Sequence, residues 1–323
     1  MGSSPANITT FWQKTITAIG TCVTFNMYDE REIIRDGVVP NSLDIPTHKT
    51  ERLWSRDYGY RNNLPLQDYT YPFRSFDIDD SLETALNVED SKRFFRFNSD
   101  ILVIFHAPDE APLYDRHSEV VRIKPGKYNY IEITPHLVVS EGIEHYAPEV
   151  RQCYYSNERH LKFYKNYTQN NCESECIVNY TIAQCGCVSY ERTHFNDTKL
   201  CTTKSEFKCF YAKYSTLFLP SFVDDDEENR IVNCNCLPSC TQLSYNPVHT
   251  SSTVKKIDNG SWVYISNRSP YMKKHVRTEL HSISEFFSNC GGSLGLFLGM
   301  SIFSIMELLY FCTVRLYLHC RRR

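Results

Sequence analysis

Residues 172–187 read CESECIVNYTIAQCGC, and residues 234–240 answer with CNCLPSC. With Cys153, Cys201 and Cys209 these segments hold ten of the fourteen cysteines of a 323-residue chain. Two chemistries suit such a block. Zinc is held by Cys-x2-4-Cys pairs in a closed tetrahedral site, and CESEC and CLPSC have usable spacings. Cys-x-Cys pairs such as Cys185/Cys187 serve zinc poorly, and thiolate zinc sites belong mostly to reducing compartments. Disulfides belong to oxidising ones. The N-x-S/T sequons at Asn166, Asn179 and Asn196 lie among the cysteines and favour the second reading. Further sequons stand at Asn7, Asn259 and Asn267, the last followed closely by Pro270.

Ten cysteines suffice for five bridges, with a connectivity that spacing alone does not give. If the chain is extended there, Cys185 and Cys187 point to opposite sides and each pairs elsewhere. Bridges between the two arms would staple a helix pair. The segment separating the arms contains an acidic run, Asp224 to Glu228, which reads as a solvated loop.

Outward from the block, SDILVIFHAPDEAP (99–112) reads as a strand of branched aliphatics stopped by Pro108. KPGKYNYIEITPHLVV (124–139) reads as a turn at Pro125-Gly126 followed by a strand. SWVYISNRSPYM (261–272) alternates as a strand with Trp262, Tyr264 and Met272 inward. Residues 26–95 are polar and rich in turn formers, with a short helix expected at 79-DDSLETALNVED-90, where Asp and Ser can cap an opening turn. The fold class is therefore α+β: a disulfide-rich domain over 1–285 followed by a membrane helix.

That helix comes from the run 286–314, whose only charged side chain is Glu307. The run is long enough for a hydrocarbon layer of about 30 Å at about 1.5 Å per residue. Arg315 and Arg321 to Arg323 place the 315–323 tail in the cytosol by the positive-inside tendency. Lys273, Lys274 and Arg277 pull the other way, and the sequons decide for an extracellular 1–285. The opening MGSSPANITTFWQKTITAIGTCVTF has no apolar core of signal-peptide length, so a preceding hydrophobic segment is expected to be missing.

Some classes drop out. Thirty-five basic against 38 acidic residues give no clustered excess for nucleic acid. There is no nucleophile elbow, His-Glu-x-x-His or phosphate loop, so no enzyme, cofactor or metal is expected; His106 and His136 fall in expected strands and read as structural. Within the membrane run, Ser288, Gly292, Gly295 and Gly299 share one helical face, since steps of four, three and four residues turn about 400°, 300° and 400°. Such a stripe serves close helix packing or something that needs the backbone itself.

CESECIVNYTIAQCGCVSY, CNCLPSCTQLSYNP and FFSNCGGSLGLFLGMSIFSIMELLYF together resemble the degenerin and epithelial sodium channel superfamily, and within it the arthropod pickpocket-type subunits. FWQKTITAIGTCVTFN resembles the family's Cys-aromatic-Thr-Phe-Asn segment, with Val23 at the aromatic position. The likeness runs in patches from about residue 11 to 311 and is weak over 26–95.

The resemblance implies a palm, a finger-like region at 26–95 and a thumb at 153–240 with the ladder Cys153–Cys240, Cys172–Cys236, Cys176–Cys234, Cys185–Cys209 and Cys187–Cys201. Cys22 would pair with a cysteine just after a first transmembrane helix, which with its cytosolic His-Gly motif precedes this sequence. Gly299-Met300-Ser301 matches the Gly-x-Ser selectivity tract, where the pore helix is broken and three subunits bring carbonyls around sodium. Gly295 matches the amiloride-blocking position, beside Gly292; Ser288 matches the degenerin position that gates the pore, and Glu307 an acidic residue below the filter. The implied function is a voltage-independent, sodium-selective, amiloride-sensitive channel subunit of the plasma membrane, in homo- or heterotrimers. Tyr211 and Ser215 stand where acid-sensing members carry aspartates, and the family's tryptophan just before the first thumb cysteine is absent, with Ala147-Pro148-Glu149-Val150 ahead of Cys153. The competing reading is a single-pass disulfide-rich receptor or adhesion protein whose glycine stripe dimerises the helix.

Overall fold

A computed structural model describes residues 12–43, 54–60, 72, 81–87, 101–112, 119–124, 126–218, 234–252 and 260–321. Asn7, Asn259, the run 224–228 and much of 26–95 lie outside them. In chain order the strands and helices are β1 (Trp12–Thr17), β2 (Gly20–Phe25), α1 (Glu30–Ile33), β3 (Val38–Val39), β4 (Trp54–Ser55), β5 (Gly59–Tyr60), β6 (Ser81–Asn87), β7 (Ile101–Phe105), β8 (Glu119–Ile123), β9 (Tyr128–Ser140), α2 (Pro148–Arg151) and α3 (Gln169–Cys185). There follow β10 (His194–Phe195), α4 (Lys204–Phe218), β11 (Thr241–Ser252), β12 (Gly260–Asn267), β13 (Lys273–Arg277), α5 (Ile283–Leu298), α6 (Ile302–Leu309), a π-helical turn (Tyr310–Arg315) and α7 (Leu316–Arg321). The chain divides into two units: 1–140 with 144–276, and 141–143 with 277–323.

The first unit is built on a sheet in the order β11-β9-β12-β6, with β13 also paired to β9. Gly126, at φ +76°, makes the turn that starts β9, and only glycine takes such a φ without cost. β9 alternates in burial: Asn129 and Ile131 point inward, Tyr130 and Glu132 outward. Ile131 and Val263 pack with Val121 and Ile123, all nearly solvent-free. Pro247 lies in β11, at the edge of this sheet, where the proline deprives no inner ladder of its hydrogen bonds.

Two expectations are corrected here. The stretch expected as a helix near 79–90 is strand β6, paired antiparallel with β12 from Ser81↔Ser266 to Asn87↔Gly260. Its Leu, Glu and Ala favour helices in isolation, but the open edge of β12 offers a full ladder of backbone partners. The inward face of β12 is also reversed. Ser261 and Val263 are buried, while Trp262 is 36% and Met272 50% exposed. The β-branched face fits the aliphatic cluster, leaving the aromatics outside, where Trp262 stacks on Tyr128 and Tyr264 tilts against Tyr130.

The cysteine block surrounds helix α3. Thr168 caps it by accepting from the Asn171 amide at 3.0 Å, and Gly186 ends it at φ +70° with its amide on the Ile182 carbonyl, the left-handed stop that glycine favours. Five disulfides join Cys153–Cys240, Cys172–Cys236, Cys176–Cys234, Cys185–Cys209 and Cys187–Cys201, the pairing that the resemblance implies. The two middle rungs have a plain geometric reason. Cys172 and Cys176 are one helical turn apart, a rise of about 6 Å. Cys234 and Cys236 face them from a segment that turns at Asn235, φ +48°, and the two bonds close with Cα atoms 5.9 and 5.7 Å apart. Cys185–Cys209 then fastens the end of α3 to α4. Tyr28, Tyr164, Tyr167, Val178, Val188 and Phe210 fill the core around the bridges, with the Tyr164 hydroxyl satisfied by Ser174 and Thr193.

Candidate pore segment

The second unit carries the apolar run. Ser282 accepts from the Glu285 amide at 3.1 Å and starts α5. The helix stops at Leu298, because Gly299 turns into the left-handed region at φ +63°. A Cβ at Gly299 would meet nothing within 4 Å; glycine is required there by the dihedral, not by crowding. Helix resumes at Ile302, capped by Ser301. The Ser301 hydroxyl accepts from the Ser304 amide at 3.3 Å, and the Ser304 hydroxyl accepts from the Ser301 amide at 3.4 Å. This reciprocal box fixes the new start.

Gly299-Met300-Ser301 is thus a three-residue interruption within a membrane-length apolar sequence. The interruption also alters the small-residue stripe: Ser288, Gly292 and Gly295 belong to α5, whereas Gly299 leaves it. Gly295 stays next to the break, since a Cβ there would lie 3.6 Å from the Met300 carbonyl oxygen. Glu307 is on α6 and exposed. Ser304 escaped the sequence reading, since the usual capping box carries Glu or Gln at this position and a serine there is no signal.

Beyond the break, helix runs without interruption from Ile302 to Arg321, 20 residues whose most apolar stretch of 18 has mean hydropathy 1.3 and no burial within the chain. That length spans about 30 Å. The 315–323 tail is helical as far as Arg321, since no glycine or proline follows Ser301. Phe303 is 83% exposed; in water such a surface is unfavourable, and in lipid it is ordinary.

The other expected residues fall elsewhere. Asn179 and Asn196 are exposed, and Asn166 and Asn267 half-buried. Tyr211 stacks with Phe207 and meets Phe210 edge-on on the exposed side of α4, and Ser215, also exposed, donates to the Ala212 carbonyl. Cys22, Cys290, Cys312 and Cys320 are free thiols. Burial raises the pKa of Cys22 despite its contact with Thr17. His106 has both ring nitrogens engaged, one with Thr24 and one with the Ala107 carbonyl.

A disulfide-braced α+β domain is followed by an apolar helical segment that breaks at Gly-x-Ser and then continues as a helix of membrane length. The chain belongs to the amiloride-sensitive sodium channel family, whose pattern matches residues 2–311; this is a family of ion channels and not of enzymes. It is 26% identical to pickpocket protein 28 of Drosophila melanogaster over 350 residues, 98% of this chain and 55% of that protein. Pickpocket protein 11 of the same species is 30% identical over 51% of this chain and 33% of its own length. Acid-sensing ion channel 1A of Danio rerio is 23% identical over 70% of this chain and 45% of its own. The chain therefore spans about half the length, or less, of these relatives.

Proposed function

We infer that this chain contributes the extracellular domain and the pore-lining helix of a subunit in a trimeric, voltage-independent, sodium-selective cation channel blocked by amiloride. The observation that carries this reading is the helix break at Gly299–Ser301, flanked by two capped helices inside an apolar segment. Backbone groups released from a helix within a membrane are tolerated only where they line water or an ion path, and rings of carbonyls can replace the hydration shell of a cation.

On this reading Gly299, Met300 and Ser301 form the constriction, each subunit supplying one set of carbonyls. Gly295, beside the Met300 carbonyl, and Gly292 above it leave room for a cationic blocker. Ser288 is the gating position, where a bulky side chain holds the pore open. Glu307 lies on the helix below the constriction; an intramembrane carboxylate is costly and is usually kept for ion handling. The disulfide ladder stiffens the thumb, which faces the cell exterior with glycans at the exposed sequons.

The test is electrical. The protein, carrying Ser288→Val to hold the pore open, is expressed alone and with partner subunits, and reversal potentials are read while sodium is exchanged for potassium. A positive shift with sodium, abolished by amiloride, supports the reading. A current indifferent to the two ions, or none with any partner, rejects it.

A further inference from the structure

We propose, on the reading of Gly299–Ser301 as the constriction, that Ser304 is a positioning residue which sets the direction of the Met300 carbonyl. The Ser304 hydroxyl accepts from the Ser301 amide at 3.4 Å, the Ser301 hydroxyl accepts from the Ser304 amide at 3.3 Å, and the two oxygens lie 3.3 Å apart. Neither amide has another hydrogen-bond partner among the described residues. Both bonds are long for an amide donor; the segment is fixed because the two close one ring.

The Ser301 amide and the Met300 carbonyl belong to one peptide unit. In a planar trans peptide the N–H and C=O point in opposite directions. Tying the N–H to Ser304, in the first turn of α6, therefore turns the carbonyl away from α6 and back towards α5. The oxygen indeed lies 3.6 Å from where a Cβ at Gly295 would stand. Gly295 shares its helical face with Ser288 and Gly292, so the carbonyl is delivered to the small-residue side of the segment, where glycine leaves room around it. It accepts no hydrogen bond among the described residues, and its lone pairs are free for a cation. Without the Ser304 hydroxyl the plane between Met300 and Ser301 is held by nothing at its N–H, and the dihedrals on either side of it are the soft ones of the backbone.

Met300-Ser301 is the one Met-Ser pair in the sequence. The full chain in lipid bilayers, isotope-labelled at methionine carbonyl carbons and serine nitrogens, therefore gives a single correlation from this peptide in solid-state magnetic resonance. One peak is expected for the unaltered chain and for Ser304→Thr, which keeps the hydroxyl. Ser304→Ala should displace or split it, with hydrogen exchange at the Ser301 amide faster by about fivefold, the equivalent of one lost helix cap. A peak and exchange rate unchanged in Ser304→Ala overturn the proposal, as does an equal displacement in Ser304→Thr. Reversal potentials give the second readout: the preference for sodium over potassium should fall severalfold in Ser304→Ala at equal surface density and be kept in Ser304→Thr. A preference unchanged in Ser304→Ala overturns the role in the constriction. An unaltered channel without sodium preference rejects the functional reading instead, and the carbonyl measurement still decides what Ser304 holds.

Discussion

Arg56 and Asp109 form a doubly bonded pair: Nε to Oδ2 at 3.2 Å and a terminal nitrogen to Oδ1 at 2.6 Å, each side chain 5% exposed. The same guanidinium reaches Glu110 at 3.0 Å. Burial pulls the arginine pKa down, and the two carboxylates overcome it and raise it. One cation thus serves two buried anions; Glu110 also accepts from the Asn170 side chain, and removing Arg56 takes the paired charge from Asp109.

Arg56→Met is therefore expected to destabilise the extracellular unit by about 3–5 kcal/mol, the usual cost of breaking a buried pair from one side. Urea unfolding monitored by tyrosine fluorescence measures it. A loss under about 1 kcal/mol, the level of an exposed ion pair, would mean that water reaches the cluster.

Cys176–Cys234 closes a sequence separation of 58 residues. Replacing both cysteines by serine should lower stability by about 2–4 kcal/mol through the freedom returned to the unfolded chain. The neighbouring Cys172–Cys236 bridge keeps the register, so the fold itself is expected to persist. Mapping of the remaining disulfides by mass spectrometry, beside thermal unfolding, checks both halves of this statement.

Burial holds the His106 imidazole below its ordinary pKa, against the Ala107 carbonyl and the charge of Asp109, which act to raise it. In the unfolded chain histidine titrates near its free value of about 6.5. As pH falls below that value the unfolded state binds the proton first, so stability present at neutral pH is lost on acidification. His106→Gln should flatten the decline of melting temperature between about pH 6.5 and 5. Parallel curves for the two proteins would remove His106 from the account.

Gly299 needs a left-handed backbone, which costs other residues about 1–2 kcal/mol. Asparagine visits that region more readily than β-branched residues do. Gly299→Asn should consequently retain more current at equal surface density than Gly299→Val. Equal loss in both would indicate that side-chain bulk, not the dihedral, matters at this point.

Much of this protein was legible from residue order because its strongest signals are local or covalent. Branched aliphatics ended by Pro108 make a strand wherever they find a partner, and Gly126 takes the positive φ of the turn before β9. A run with one carboxylate is long enough for a bilayer whatever surrounds it, and Gly299 next to Ser301 weakens a helix before any packing is considered. The disulfide partners needed the family likeness, since spacing leaves ten cysteines many pairings.

Three features depended on contacts between distant segments. β6 is a strand because β12 offers it a ladder of hydrogen bonds, against the helical preference of its own residues. Trp262 faces outward because Val263 fits the aliphatic cluster of Val121, Ile123 and Ile131. His136 and His275, 139 residues apart in number, stack only because β13 returns beside β9. Local propensities differ by less than about 1 kcal/mol per residue, whereas a shared ladder or a filled core is worth several times that when summed. Where the two disagree, packing between remote segments prevails.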